Sequence, residues 1–167
     1  MCSSDLWYRD DKPLKEEGYT TSLIAKEASR LIRAQPADKP LFLYVPFNGI
    51  HSPFQVPTNY AEPYQNLTKL RSTVAGMLAA VDEAIGQITT AIDEKGMRDN
   101  TLIIFCSDNG GARAGKGTMN TPLRGGKGGI YEGGVRVAAL ATWPGKIAAG
   151  ATIDEPMHIV DWYPTLL

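Results

Sequence analysis

The chain has 167 residues, 43% of them hydrophobic and 21% charged, the size and composition of one ordinary globular domain. Lys and Arg number 17 against 18 Asp and Glu, a net charge of −1 with no like-charged block, so neither nucleic acid nor an anionic membrane is an expected partner. The longest apolar runs, such as 101–106, are far shorter than the roughly 20 residues of a bilayer span, so no membrane span is expected.

Residues 1–19 read as polar and irregular. They contain no basic region followed by an apolar one, so no secretory signal is expected within them, and an exported parent would carry it upstream. Behind Thr20 and Thr21, either of which could cap a helix, Ile24, Ala28, Leu31 and Ile32 fall at helical spacing as far as Gln35-Pro36. Leu41 to Val45 is a continuous apolar run, which predicts a strand buried on both faces and ended by Pro46. From Asn48 to Pro63 the prolines predict an ordered, irregular surface loop.

Val74, Met77, Leu78, Val81, Ile85, Ile88 and Ile92 define one apolar face of a long helix, with Gly96 as its stop. Thr101 to Cys106 then reads as a second buried strand. Strand, helix and strand in that order imply a parallel sheet covered by helices, hence the α/β class. The glycine-rich stretch from Ser107 to Gly134 is too long for a simple connector and is expected to be functional. Val135 to Trp143 reads as another strand, and Ile159 to Leu167 as the start of a helix. Cys2 and Cys106 have neither metal-site spacing nor a disulfide framework. Asn66-Leu67-Thr68 fits a glycosylation acceptor, a motif too short to carry weight.

Ser107-Asp108-Asn109-Gly110-Gly111 lies where the chain leaves a buried strand, the place where open α/β sheets put ligands. A carboxylate beside an amide carbonyl offers two hard oxygens suited to calcium or magnesium, too few to complete a site of six to eight ligands. Taken alone, Asn-Gly reads first as a turn signal. His51 also follows a predicted strand and is suited to general acid work, though an isolated histidine more often serves its own loop. In Pro122 to Gly134, Arg124 and Lys127 stand among glycines that permit close backbone approach to a sulfate or phosphate, and a solvated loop is the equal alternative. It is no nucleotide P-loop, because no Ser or Thr follows the lysine. His158 and Asp161 read as local backbone partners at the start of a helix rather than as a metal or acid-base pair.

Taken in this order, from about Gly18 to Leu167, these segments resemble the formylglycine-dependent (type I) sulfatases, particularly their arylsulfatase B-like and N-acetylgalactosamine sulfatase-like members. The resemblance implies an alkaline-phosphatase-like α/β fold with a mostly parallel sheet flanked by helices. It implies calcium held by Asp108 and Asn109, and His51 and Lys127 as catalytic and substrate-binding groups at a sulfate ester. A formylglycine made from cysteine would attack sulfur while His51, with Lys127, assists the departing alcohol.

The family's Cys-x-Pro-Ser/Ala-Arg segment, its paired N-terminal aspartates and its upstream Lys and His have no counterpart here, and Cys2, followed by Ser3-Ser4-Asp5, is no substitute. Residues 1–167 are therefore expected to be part of a sulfatase catalytic domain without its nucleophile segment or C-terminal subdomain. Such a chain is expected to be inactive alone, with an incomplete calcium site, and prone to aggregation through an open sheet edge. The parent would act on sulfate esters, such as those of sulfated glycans, in the periplasm, outside the cell or in lysosomes. Competing readings are a phosphomonoester or phosphonate hydrolase of the same superfamily and a non-catalytic anion- or carbohydrate-binding relic.

Overall fold

The computed structural model describes residues 7–112 and 117–167. Its framework is a pair of helices, α1 (Thr20–Ala34) and α3 (Lys69–Glu94), packed along each other. Small residues make the close approach possible: Ala25 and Ala91 are fully buried, and Ala28, Ala80 and Ala84 nearly so. Ile32 is 1% exposed and packs with Ala91 and Ile92, joined by Leu41, Leu43, Ile88, Met97 and Ile103. Burying a side chain of this size contributes roughly 1.5–3 kcal/mol. The outer rim carries ion pairs, Arg33 with Glu94 at 2.9 Å and Glu27 with both Arg30 at 2.7 Å and Arg9 at 3.1 Å. The Arg30 hydrogen bond, against the opposing effect of partial burial, draws the Glu27 carboxyl from its ordinary 4.5 down to about 2, and Arg9 acts in the same direction.

Both long helices run close to their expected bounds, and Gly96 follows α3 with φ +69°, a value glycine adopts without cost. The expected cap of α1 is corrected: Tyr19 holds the N-cap position with no side-chain bond, while Thr21, already helical, is 1% exposed. Residues 7–14, expected to be irregular, form an antiparallel hairpin of β1 (Trp7–Arg9) and β2 (Lys12–Leu14), with Asp10 in its turn at φ +55°. The proline-rich loop contains a short helix, α2 (Thr58–Ala61), and a 3-10 turn over Glu62–Tyr64. Both are fixed to α3, where Gly76 leaves room for the Tyr60 backbone, Ser72 Oγ donates to the Ala61 carbonyl at 3.0 Å, and Tyr60 donates to Glu83 at 2.8 Å.

The two apolar runs do not pair with each other among the described residues. β3 (Ile103–Cys106) pairs antiparallel with β4 (Ala139–Thr142), Ile103 opposite Thr142 and Cys106 opposite Ala139. The chain returns through the long loop 107–138 without a helical crossover of the kind parallel neighbours need. Residues 41–45 join no ladder among the described residues. They are not buried on both faces: Leu41 and Leu43 turn to the helix pair, whereas Phe42 is 90% and Tyr44 78% exposed. One helical layer thus covers one side of this segment, and alternation replaces the expected double burial. The chain ends on a 3-10 turn at Ile159–Asp161 and α5 (Trp162–Leu166). No helix among the described residues is long and apolar enough to cross a membrane.

Candidate functional site

Asp108 and Asn109 sit at the first turn after β3, with Asp108 exposed and Asn109 half-buried. Asn109 Nδ2 donates to Asp108 Oδ1 at 3.1 Å and more weakly to the Gly110 carbonyl at 3.3 Å. The two side chains therefore lie side by side, with the amide nitrogen engaged and the amide oxygen without a bond among the described residues. Hard-oxygen chemistry fits calcium, but among the described residues no cluster of three or more His, Cys, Asp or Glu completes a metal site.

Lys127 is brought to this turn by the backbone. Its amide donates to the Gly111 carbonyl at 2.9 Å, and the Gly110 amide donates to the Gly134 carbonyl at 2.9 Å. The Gly133 amide in turn donates to the Arg124 carbonyl at 2.8 Å. A Cβ at Gly110 would collide with the Gly133 carbonyl oxygen, and one at Gly133 would stand 2.5 Å from the Gly125 oxygen, so these glycines secure proximity. Gly133 and Gly134 belong to a short helix, α4 (Glu132–Val135), which was not foreseen in the sequence. The Lys127 side chain is exposed and has no ion pair among the described residues. Arg124 is engaged instead, its guanidinium 3.8 Å from the centroid of the Tyr131 ring.

His51 stands on a different loop and makes no hydrogen bond to Asp108, Asn109 or Lys127. Its exposed ring shares a 2.7 Å hydrogen bond between Nδ1 and the Ser52 carbonyl. A carbonyl can only accept, so Nδ1 carries a proton in this contact. Both loops rest on α3. A Cβ at Gly49 would meet Val81 Cγ2 at 3.0 Å, and one at Gly117 would meet Val74 Cγ2 at 2.9 Å. Val74 and Val81 are two helical turns apart, about 10 Å along the axis. The helix is thus the common floor beneath the His51 loop and the loop that leads from Asp108 to Lys127.

His158 does what its local pattern implied. Its Nδ1 accepts from the Val160 amide at 3.3 Å, and Asp161 Oδ2 accepts from the His158 amide at 2.7 Å, a reciprocal cap. Cys2 lies outside the described residues. Asn120, which no sequence motif marked, makes three side-chain hydrogen bonds to the site loops. Its only signal was an amide side chain between Gly117 and Pro122 in an otherwise glycine-rich stretch.

Comparison with known proteins identifies the family. The sulfatase family model matches residues 1–167. Arylsulfatase J of Mus musculus is 37% identical over 170 residues, covering 100% of this chain and 28% of the relative. N-acetylgalactosamine-6-sulfatase of Rattus norvegicus is 35% identical over 155 residues, covering 90% of this chain and 29% of the relative. The solved structure of Ps i-CgsB in complex with k-i-k-neocarrahexaose superposes with a TM-score of 0.87 at 39% identity, over 92% of this chain and 34% of that one. The chain thus spans less than a third of the length of these curated relatives. The superposition shows that the helices and small sheets are part of the alkaline-phosphatase-like α/β fold of those structures. On the family match and the relatives together, the chain belongs to the sulfatase family.

Proposed function

We propose that this chain is the part of a sulfuric ester hydrolase that receives the sulfate group and the leaving oxygen, in a polypeptide acting on sulfate esters of carbohydrates. The observation that carries the reading is the junction of two loops, where the Lys127 amide is bonded to Gly111, three residues beyond Asp108. The backbone that carries a lysine is thereby held against the turn that carries a pair of hard oxygens.

Hydrolysis of a sulfate ester breaks the bond from sulfur to the alcohol oxygen and leaves that oxygen in need of a proton. His51, with its Nδ1–H committed to Ser52, would carry a second proton on Nε2 as imidazolium and give it to that oxygen, ending as the neutral Nδ1–H ring. The Lys127 ammonium offsets negative charge on the sulfuryl oxygens. Asp108 and Asn109 would contribute two ligands to calcium, the remainder coming from outside this set. Such an ion would supply further positive charge to the sulfuryl oxygens. The nucleophile expected by resemblance, a formylglycine in Cys-x-Pro-Ser/Ala-Arg, has no counterpart among these residues. A carbohydrate substrate is supported by the neighbouring structure with a bound neocarrahexaose and by the N-acetylgalactosamine-6-sulfatase relative.

The test is turnover of a chromogenic aryl sulfate and of a sulfated oligosaccharide with calcium. It compares the 167-residue chain with the longer reading frame around it, co-expressed with a formylglycine-generating enzyme. Turnover confined to the longer form and lost in Lys127→Ala is the expected result. Turnover by the short chain would mean that a different nucleophile operates here. Cleavage of phosphate but not sulfate esters would replace the reading with a phosphomonoesterase.

A further inference from the structure

We infer that Asn120 is a positioning residue that locks the Lys127 loop against the Asp108–Asn109 turn, an inference that rests on the sulfatase reading for its catalytic consequence. The half-buried Asn120 amide makes three bonds. Its Oδ1 accepts from the Gly111 amide at 2.9 Å, and its Nδ2 donates to the Gly111 carbonyl at 3.0 Å and to the Gly125 carbonyl at 3.1 Å. The pair of bonds to Gly111 imitates a rung of a β-ladder, with the side chain standing in for a strand. Flipping the amide would turn an NH2 toward the Gly111 N–H, so its orientation is set by its partners.

The Gly111 carbonyl is the meeting point, because it also accepts from the Lys127 amide at 2.9 Å. Asn120 therefore grips both sides of the junction, Gly111 on the cation turn and Gly125 two residues before Lys127. Its own backbone is tied down nearby, where the Leu123 amide donates to the Asn120 carbonyl at 2.8 Å and Thr118 Oγ1 donates to the Ala112 carbonyl at 2.7 Å. Nothing in this arrangement requires Asn120 to touch the substrate. Its role is to set the spacing between the Lys127 ammonium and the oxygens of Asp108 and Asn109.

The discriminating variant is Asn120→Asp, which keeps the acceptor for the Gly111 amide but aims a carboxylate at two carbonyls. Asn120→Ala removes all three bonds and serves as the second variant should the first fold poorly. In the polypeptide of the turnover assay, kcat on an aryl sulfate is expected to fall about 10- to 100-fold, the scale of a small misplacement of reacting groups. KM should change less than about threefold, the pattern of an interaction expressed in the transition state. Amide hydrogen exchange at Gly111 and Lys127 should speed up by about tenfold or more, while β3 and α3 stay protected. Unchanged exchange at those amides overturns the clamp, and accelerated exchange with unchanged kcat overturns its catalytic role. If the unaltered protein has no sulfatase turnover, the sulfatase reading falls and the exchange comparison still decides whether Asn120 holds the two loops.

Discussion

His51 Nδ1 lies 2.7 Å from the carbonyl of Ser52, its next residue along the chain, and this contact keeps a proton on Nδ1, so that a second proton on Nε2 is the one the ring can give away. A histidine arranged in this way helps most when the departing oxygen needs a proton. His51→Ala is expected to lower turnover of an alkyl or sugar sulfate by about 10²- to 10⁴-fold, and that of a nitrophenyl sulfate much less, because nitrophenolate leaves unprotonated. Parallel kcat measurements on the two substrates check this, and equal losses would assign His51 to binding instead.

The Glu27 ion pairs give α1 a pH-sensitive edge. A carboxyl held at about 2 in the folded chain, against an ordinary 4.5, stabilises the fold above pH 4.5 and loses that contribution as pH falls from 4.5 toward 2. Because Glu27 is partly exposed, the effect is expected to be small, about 0.2–1 kcal/mol at neutral pH. Urea melts of Glu27→Gln and the unaltered chain should differ at pH 7 and converge near pH 2.

Ile32 is the centre of the helix-pair core, whereas its neighbour Leu31 is 38% exposed. Ile32→Ala should cost about 2–5 kcal/mol through lost burial and the cavity left behind. Leu31→Ala should cost distinctly less, a difference that denaturant titration of the two variants reads directly.

Two glycines should respond to alanine in opposite directions. Gly110→Ala drives a methyl group into the Gly133 backbone, an overpacking expected to cost about 1–3 kcal/mol or to pull the loops apart. Gly86→Ala, on the exposed side of α3 with no atom within 4 Å of the new Cβ, should stabilise the helix by roughly 0.5–1 kcal/mol. Thermal melts of both variants decide the matter, and equal destabilisation would refute the packing argument.

The helices were legible because their signal is local: Val74, Met77 and Val81 repeat at the helical period, and each lies buried on α3. Strand pairing was not, since an apolar run such as Leu41–Val45 says nothing about which strand lies beside it. Its double burial was inferred from composition, whereas burial depends on a covering layer, and Phe42 and Tyr44 lack one among the described residues. The same exposed edge bears on the expected aggregation of the isolated chain, and a sharp cooperative melt of a soluble monomer would count against it. Of the candidate site, Asp108, Asn109 and His51 were singled out by position after apolar runs and Lys127 by its glycine surroundings, while their roles came from the resemblance alone. Asn120 was not, because its importance lies in two carbonyls and one amide that sequence does not bring together.

The stitched glycine loop also sets where this protein can diversify. Positions 110, 133 and 134 face neighbouring backbone so closely that any side chain is excluded, and a library of variants there would return almost only glycine. Ile130, on the same loop, is 89% exposed. Position 130 therefore accepts exchange in this chain beside glycines that do not, without disturbing the backbone bonds that hold the Lys127 loop.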